Sequence, residues 1–173
     1  MISNYNEYKN FIIKDVSHND QIKIQELCNS CVDYFLISQG KPATGNEAQE
    51  FLMVLPPNKT FEDKINLGIF NIAEDLVGFV DLIRNYPQNG TWYIGLLLID
   101  SKARRNGLGK YIIHEIIKMV KKDSGEKIKI GVLIENESAL KFWESMGFVT
   151  TEKSEIIFEG VNRSIYKMEY QIL

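Results

Sequence analysis

The residues best suited to chemistry lie in the run Arg104-Arg105-Asn106-Gly107-Leu108-Gly109-Lys110. It follows an apolar, β-branched stretch (Trp92–Ile99) and opens a segment whose apolar residues recur at helical spacing. A strand that ends in a Gly-rich turn at a helix start is a ready anion site. The first-turn N–H groups have no carbonyl to donate to, and the helix dipole adds roughly half a positive charge. Two familiar phosphate loops fail here. A Walker A loop needs Gly-Lys followed by Ser or Thr, whereas Gly109-Lys110 is followed by Tyr111 and Arg104 stands where the first glycine belongs. A dinucleotide fingerprint needs a third small residue, and Ile112 occupies that position. The elements upstream also read as consecutive strands, without the crossover helices such a fold requires.

Other chemistry-bearing residues are scattered. Asp81 is a carboxylate inside an otherwise apolar run, so it faces either a cleft or a solvated sheet face. Asp100 ends the strand before the loop, and Tyr86 and Tyr93 could bring hydroxyls to it. Cys28 and Cys31 form a C-x-x-C pair, but only His18 and His114 are available as further soft ligands. The pair falls within a helical pattern, so the expectation is two small core residues on one helix face, with no metal site. Asn136 precedes a helical segment and is a candidate N-cap.

These residues must be positioned by an alternation of short strands and helices. Tyr8–Val16 is expected as a first strand, and apolar spacing predicts a helix over Asp20–Ser38, closed by Gly40. Glu47–Val54 reads as a short helix stopped by Pro56-Pro57. Phe61–Ile72, Leu76–Arg84 and Trp92–Ile99 follow closely as strands and predict an antiparallel meander. A helix over Gly107–Lys122 buries Leu108, Ile112, Ile116, Met119 and Val120. A strand (Lys127–Ile134), a helix (Glu137–Met146) and a hairpin (Phe148–Phe158, Arg163–Ile172) complete the chain. The expected fold class is α/β (α+β), a single domain over residues 1–173. A mostly antiparallel mixed sheet of about seven strands is flanked by about four helices.

Composition narrows the partners. The 173 residues are 45% hydrophobic, enough for a substantial core, and carry a formal charge of −3. That balance argues against broad phosphate neutralisation, so no nucleic acid is expected, and a mildly acidic surface suits an amine-bearing partner. The N-terminus shows no signal-peptide pattern, and the longest apolar runs fall far short of the ~20 residues that span a bilayer. A cytoplasmic protein with no membrane partner is expected.

The loop matches R/Q-x-x-G-x-G/A and resembles the pyrophosphate-binding signature of the GNAT superfamily of acetyl-CoA-dependent N-acetyltransferases. Downstream, Asn136, Ala139, Phe142, Trp143, Gly147 and Phe148 resemble that family's second signature, about 30 residues on. The order of elements agrees as well, so the resemblance covers nearly the whole chain. It implies acetyl-CoA as cosubstrate and direct acetyl transfer to a primary amine, on a small molecule or a peptide, within a ternary complex. It also implies a set of donor-binding residues: the backbone of Arg104, Arg105, Asn106, Gly107, Leu108, Gly109 and Lys110 around the pyrophosphate, and Leu97, Leu98 and Ile99 beside the pantetheine. Asn136, Ala139, Phe142 and Trp143 complete that set. The Leu97 N–H is implied as the oxyanion donor. Many relatives carry a tyrosine where Trp143 stands, and indole cannot act as an acid. The catalytic candidates are therefore Leu97, Asp81 as base, and Trp143 as a packing or hydrogen-bonding group. The alternative is a non-catalytic acyl-CoA sensor or partner subunit. Acceptor identity and assembly stay open, a homodimer included.

Overall fold

The computed structural model describes residues 10–158 and 160–173. Tyr8 and Lys9 of the expected first strand, and Glu159 in the hairpin turn, lie outside the described residues. Seven strands form one sheet: β1 (Ile12–Asp15), β2 (Lys64–Phe70), β3 (Leu76–Ile83), β4 (Thr91–Ile99), β5 (Lys127–Leu133), β6 (Val149–Phe158) and β7 (Val161–Gln171). Their spatial order is β1-β2-β3-β4-β5-β7-β6. Each neighbouring pair is antiparallel except β4 with β5, which run parallel. A parallel pair needs a crossover, and the helix α4 (Leu108–Lys122) supplies it.

The helices divide between the two faces. One face buries Ile69, Val80, Leu82, Ile94, Ile128, Ile130 and Met168 beneath α4 and α5 (Glu137–Ser145). From α4 come Leu108, Ile112, Ile113, Ile116 and Val120. Ile113 thus takes the fully buried place expected of Met119, which packs at the rim instead. The opposite face buries Phe70, Phe79, Leu96 and Leu98 beneath α1 (Gln21–Ser30), α2 (Val32–Gln39) and α3 (Glu47–Met53). Among the described residues, these three helices pack on strand residues from β2, β3 and β4.

The single helix expected over Asp20–Ser38 is two helices. The chain breaks at Cys31, whose φ of −92° and ψ of 47° leave the helical region. Apolar spacing carries across the break because both halves pack on the same sheet face, which is why periodicity alone reads them as one. The flanking helices therefore number five. Cys28 and Cys31 are buried free thiols, but Cys31 sits at the junction rather than on a continuous helix face. Burial pushes the Cys28 thiol up to about 12 and raises Cys31 as well, so neither offers a thiolate nucleophile. The strand expected from Phe61 starts only at Lys64, because Thr60–Asp63 forms a turn closed by the Asp63 N–H donating to the Thr60 carbonyl (3.0 Å).

Candidate active site

The sheet splits at its centre. Pairing of β4 with β5 runs from Thr91–Lys127 to Ile94–Ile130, yet β4 continues to Ile99 and β5 to Leu133. The cause is a β-bulge. Asp81 of β3 lies opposite Leu96 while Leu82 lies opposite Ile94, so Gly95 is an extra residue with no partner on β3. A bulge bends its strand, and here it carries the second half of β4 away from β5. A glycine in the middle of an apolar strand was the available sequence signal.

The bulge leaves half of a central strand with one bare edge. The Asp100 N–H donates to the Val77 carbonyl (2.9 Å), which fixes the alternation along β4. Counting back by twos, Leu98 and Leu96 direct their backbone groups at β3, and Leu97 and Ile99 direct theirs into the fork. The Ile99 carbonyl is already occupied. It accepts from Arg104 Nε at 2.7 Å and from the Cys31 thiol at 3.5 Å. The Leu97 N–H faces the fork as a donor with no strand to receive it.

The Gly-rich loop sits at the mouth of this fork. Arg105 (φ +63°) and Gly107 (φ +86°) both adopt left-handed backbone, which coils the loop tightly onto the start of α4. The Leu108 N–H is capped by Asn106 Oδ1 at 3.1 Å. The next two amides, Gly109 and Lys110, lie in the first turn with no carbonyl below them. At Gly109 a Cβ would come within 3.1 Å of the Phe142 ring and 3.3 Å of Ile99 Cδ1. The glycine therefore lets α4, α5 and the end of β4 converge.

Arg104 is neither a solvated side chain nor turned to the loop. Its guanidinium pairs with the Asp33 carboxylate, with Arg104 NH1 on Asp33 Oδ2 and NH2 on Oδ1 at 3.2 Å. That hydrogen bonding and charge hold the Asp33 carboxyl below its ordinary value. The side chain thereby ties the loop to the start of α2.

On α5, Asn136 is the N-cap. Its Oδ1 accepts from the Ala139 N–H (3.2 Å) and the Ser138 hydroxyl (3.1 Å), which leaves its amide NH2 without a partner among the described residues. Cap and donor roles are thus compatible in one side chain. Trp143 is nearly enclosed, edge-on to Phe142 (5.1 Å) and Phe148 (4.9 Å). Ala139 and Phe142 are half-buried beside the same cluster.

Asp81 lies on the same face as Phe79, opposite the core residues Val80 and Leu82. It is not solvated. Its side chain is 13% exposed and its Oδ1 accepts from Lys64 Nζ at 2.6 Å, with the lysine side chain only 2% exposed. Burial pushes the Asp81 carboxyl up, and the lysine charge opposes that rise. A Cβ on Gly95 would meet Asp81 Oδ2 at 2.8 Å, so this second oxygen hangs directly over the bulge. Across the split, a Cβ on Gly131 of β5 would meet the Tyr93 hydroxyl at 3.0 Å. Two exposed glycines thus mark the vertex of the fork, one beneath a carboxylate and one beneath a phenol. The sequence offered no sign that Lys64, seventeen residues from Asp81, would be its partner.

A mixed sheet that forks between parallel central strands, with an anion-binding helix start at its mouth, has the plan of an acetyltransferase fold. A family model described as an acetyltransferase (GNAT) domain matches residues 41–170. The chain belongs to the GNAT acetyltransferase family. Human N-alpha-acetyltransferase 30 is 31% identical over 86 residues, which cover 47% of this chain and 23% of that protein. The Saccharomyces cerevisiae protein of the same name is 27% identical over 62% of this chain and 57% of its own length. The chain thus spans under a quarter of the human relative and little over half of the yeast one. Among solved structures, a GNAT-family acetyltransferase from Desulfovibrio desulfuricans superposes with a TM-score of 0.74 at 12% identity, over 94% of this chain and 99% of the other. The ribosomal-protein-S18-alanine N-acetyltransferase of Escherichia coli gives 0.70 at 13% identity, over 94% of each chain. These structures share the fold.

Proposed function

We propose that this protein is an N-acetyltransferase that moves an acetyl group from acetyl-CoA to a primary amine by direct attack within a ternary complex. The observation that carries the proposal is the fork. It leaves an unpaired strand edge, carrying the outward Leu97 N–H, that leads to a loop and helix start with bare first-turn amides, the groups a phosphate-to-thioester ligand requires. The amides of residues 105–110 would take the pyrophosphate, with Gly107 and Gly109 allowing close approach. The amide-rich pantetheine would add to β4 along Leu97–Ile99 like another strand, with the free Asn136 NH2 as a further donor. Ala139, Phe142 and Trp143 would wall this arm.

Chemistry then follows from the chain's own groups. The Leu97 N–H would hydrogen-bond the thioester oxygen and stabilise charge as it grows there. Asp81 Oδ2, the oxygen not taken by Lys64, would receive the proton of the attacking amine. Trp143 donates at most a hydrogen bond, and a thiolate with a parent pKa of ~8.5 can leave without a dedicated acid.

The test is thiol release from acetyl-CoA in the presence of a panel of amines. Release that depends on both an amine and the Leu97–Gly109 region supports the reading. Tight acetyl-CoA binding with no release for any amine overturns it in favour of a binding protein.

A further inference from the structure

The sheet face beside the fork carries three carboxylates among the described residues, each with its own lysine. Asp81 pairs with Lys64 at 2.6 Å, Glu169 with Lys129 at 3.2 Å, and Glu152 with Lys167 at 3.0 Å. Register places Lys129, Gly131, Lys167 and Glu169 on this same face, because Ile128, Ile130 and Met168 between them enter the opposite core. Among the described residues, no three carboxylate, imidazole or thiol side chains gather as a cation-binding group. Lys127 alternates onto the same face, so among the described residues the vertex is polar and carries no surplus of negative charge. Beside it stand two aromatic rings, Tyr86 and Tyr93, edge to face with centroids 5.6 Å apart.

We infer that the acceptor is a monoamine bearing an apolar, preferably aromatic, substituent, and that a polyamine is discriminated against. The nitrogen sits between Asp81 Oδ2 and the Tyr93 hydroxyl, and the substituent lies against the Tyr86–Tyr93 pair. This specificity rests on the acetyltransferase reading above.

A polycation is held by a surplus of negative charge, and three neutralised ion pairs provide none. A buried carboxylate already neutralised by its lysine instead favours the uncharged form of an amine, which is the form that attacks. The aromatic walls then reward an apolar substituent through burial and ring contact. In the transfer, the amine nitrogen bonds the acetyl carbon and the carbon–sulfur bond breaks. The amine proton goes to Asp81, and the departing thiolate takes one from water. Burial keeps the Tyr93 phenol above its ordinary pKa, so it orients the amine as a neutral group.

The experiment compares kcat/KM for 2-phenylethylamine, butylamine, spermidine and an alanine-initiated peptide, at saturating acetyl-CoA with thiol release as the signal. Phenylethylamine is expected to exceed spermidine by about tenfold or more. Tyr86→Ala should lower the phenylethylamine-to-butylamine ratio by about fivefold, and Tyr86→Phe should preserve it. The melting-temperature rise on adding acetyl-CoA shows that both variants fold. A preference for spermidine or for the peptide, or a ratio unmoved by Tyr86→Ala, overturns this inference while leaving the acetyltransferase reading intact. Thiol release with no amine at all overturns both.

Discussion

Asp81 sets burial against one contact. Burial raises the pKa of its carboxyl, and Lys64 at 2.6 Å offsets only part of that rise. Asp81→Asn should lower kcat by about a hundredfold and remove the acid limb of the pH–rate profile. Because the Asp81 pKa is raised, that limb should lie above the usual carboxylate range; a profile that keeps it unchanged in the variant would take Asp81 out of the proton path. Glu47 shows the opposite electrostatics. It is buried, which would raise its pKa, but the amides of Thr44 and Gly45 and the side chain of Gln25 donate to it and hold it down to about 2. A depressed carboxyl stabilises the fold fully above its unfolded pKa of 4.5 and ceases to do so as pH falls to about 2. Glu47→Gln should therefore cost about 2 kcal/mol in urea unfolding at pH 7 and progressively less between those two values. An undiminished cost at the acidic end would contradict the assignment.

At the scale of elements, the start of α4 does two things at once. Gly109 brings its amide to the mouth of the fork and also lets Phe142 of α5 close on it at 3.1 Å. Gly109→Ala should raise the acetyl-CoA KM by about tenfold with a smaller change in kcat, since the donor is displaced rather than the reacting groups. Equal losses in both parameters would mean that the glycine matters for packing alone. Much of this element was legible. Gly107 and Gly109 in their spacing, the apolar stripe of α4 and the capping Asn136 all follow from local rules that act within a few residues. The break at Cys31 was not legible, because tertiary packing on the sheet preserves the apolar spacing across it. Nor was the direction of the Arg104 side chain, whose partner Asp33 is seventy-one residues away. Contacts of that range depend on how the helices settle on the sheet, which no local pattern encodes.

At the scale of the molecule, the meander and the terminal hairpin were foreseeable from run lengths and turns. The placement of β7 between β5 and β6 was not, and nor was the fork. It depends on one unpaired residue, Gly95, that shifts register between two neighbouring strands. Its effect reaches across the sheet, since pairing of β4 with β5 ends just before it; on the proposed function it also sets where the donor would lie. It also has a dynamic consequence. Backbone hydrogens at the centre of a sheet ordinarily exchange with solvent only when the protein opens, because each is locked in a ladder. The Leu97 hydrogen occupies the middle of the molecule by position but points into an open wedge. In hydrogen–deuterium exchange it should trade within the fast, loop-like class while Leu96 and Leu98 on either side remain protected. Adding acetyl-CoA should slow it to match them. A Leu97 amide already as slow as its neighbours without ligand would mean that the wedge is closed in solution.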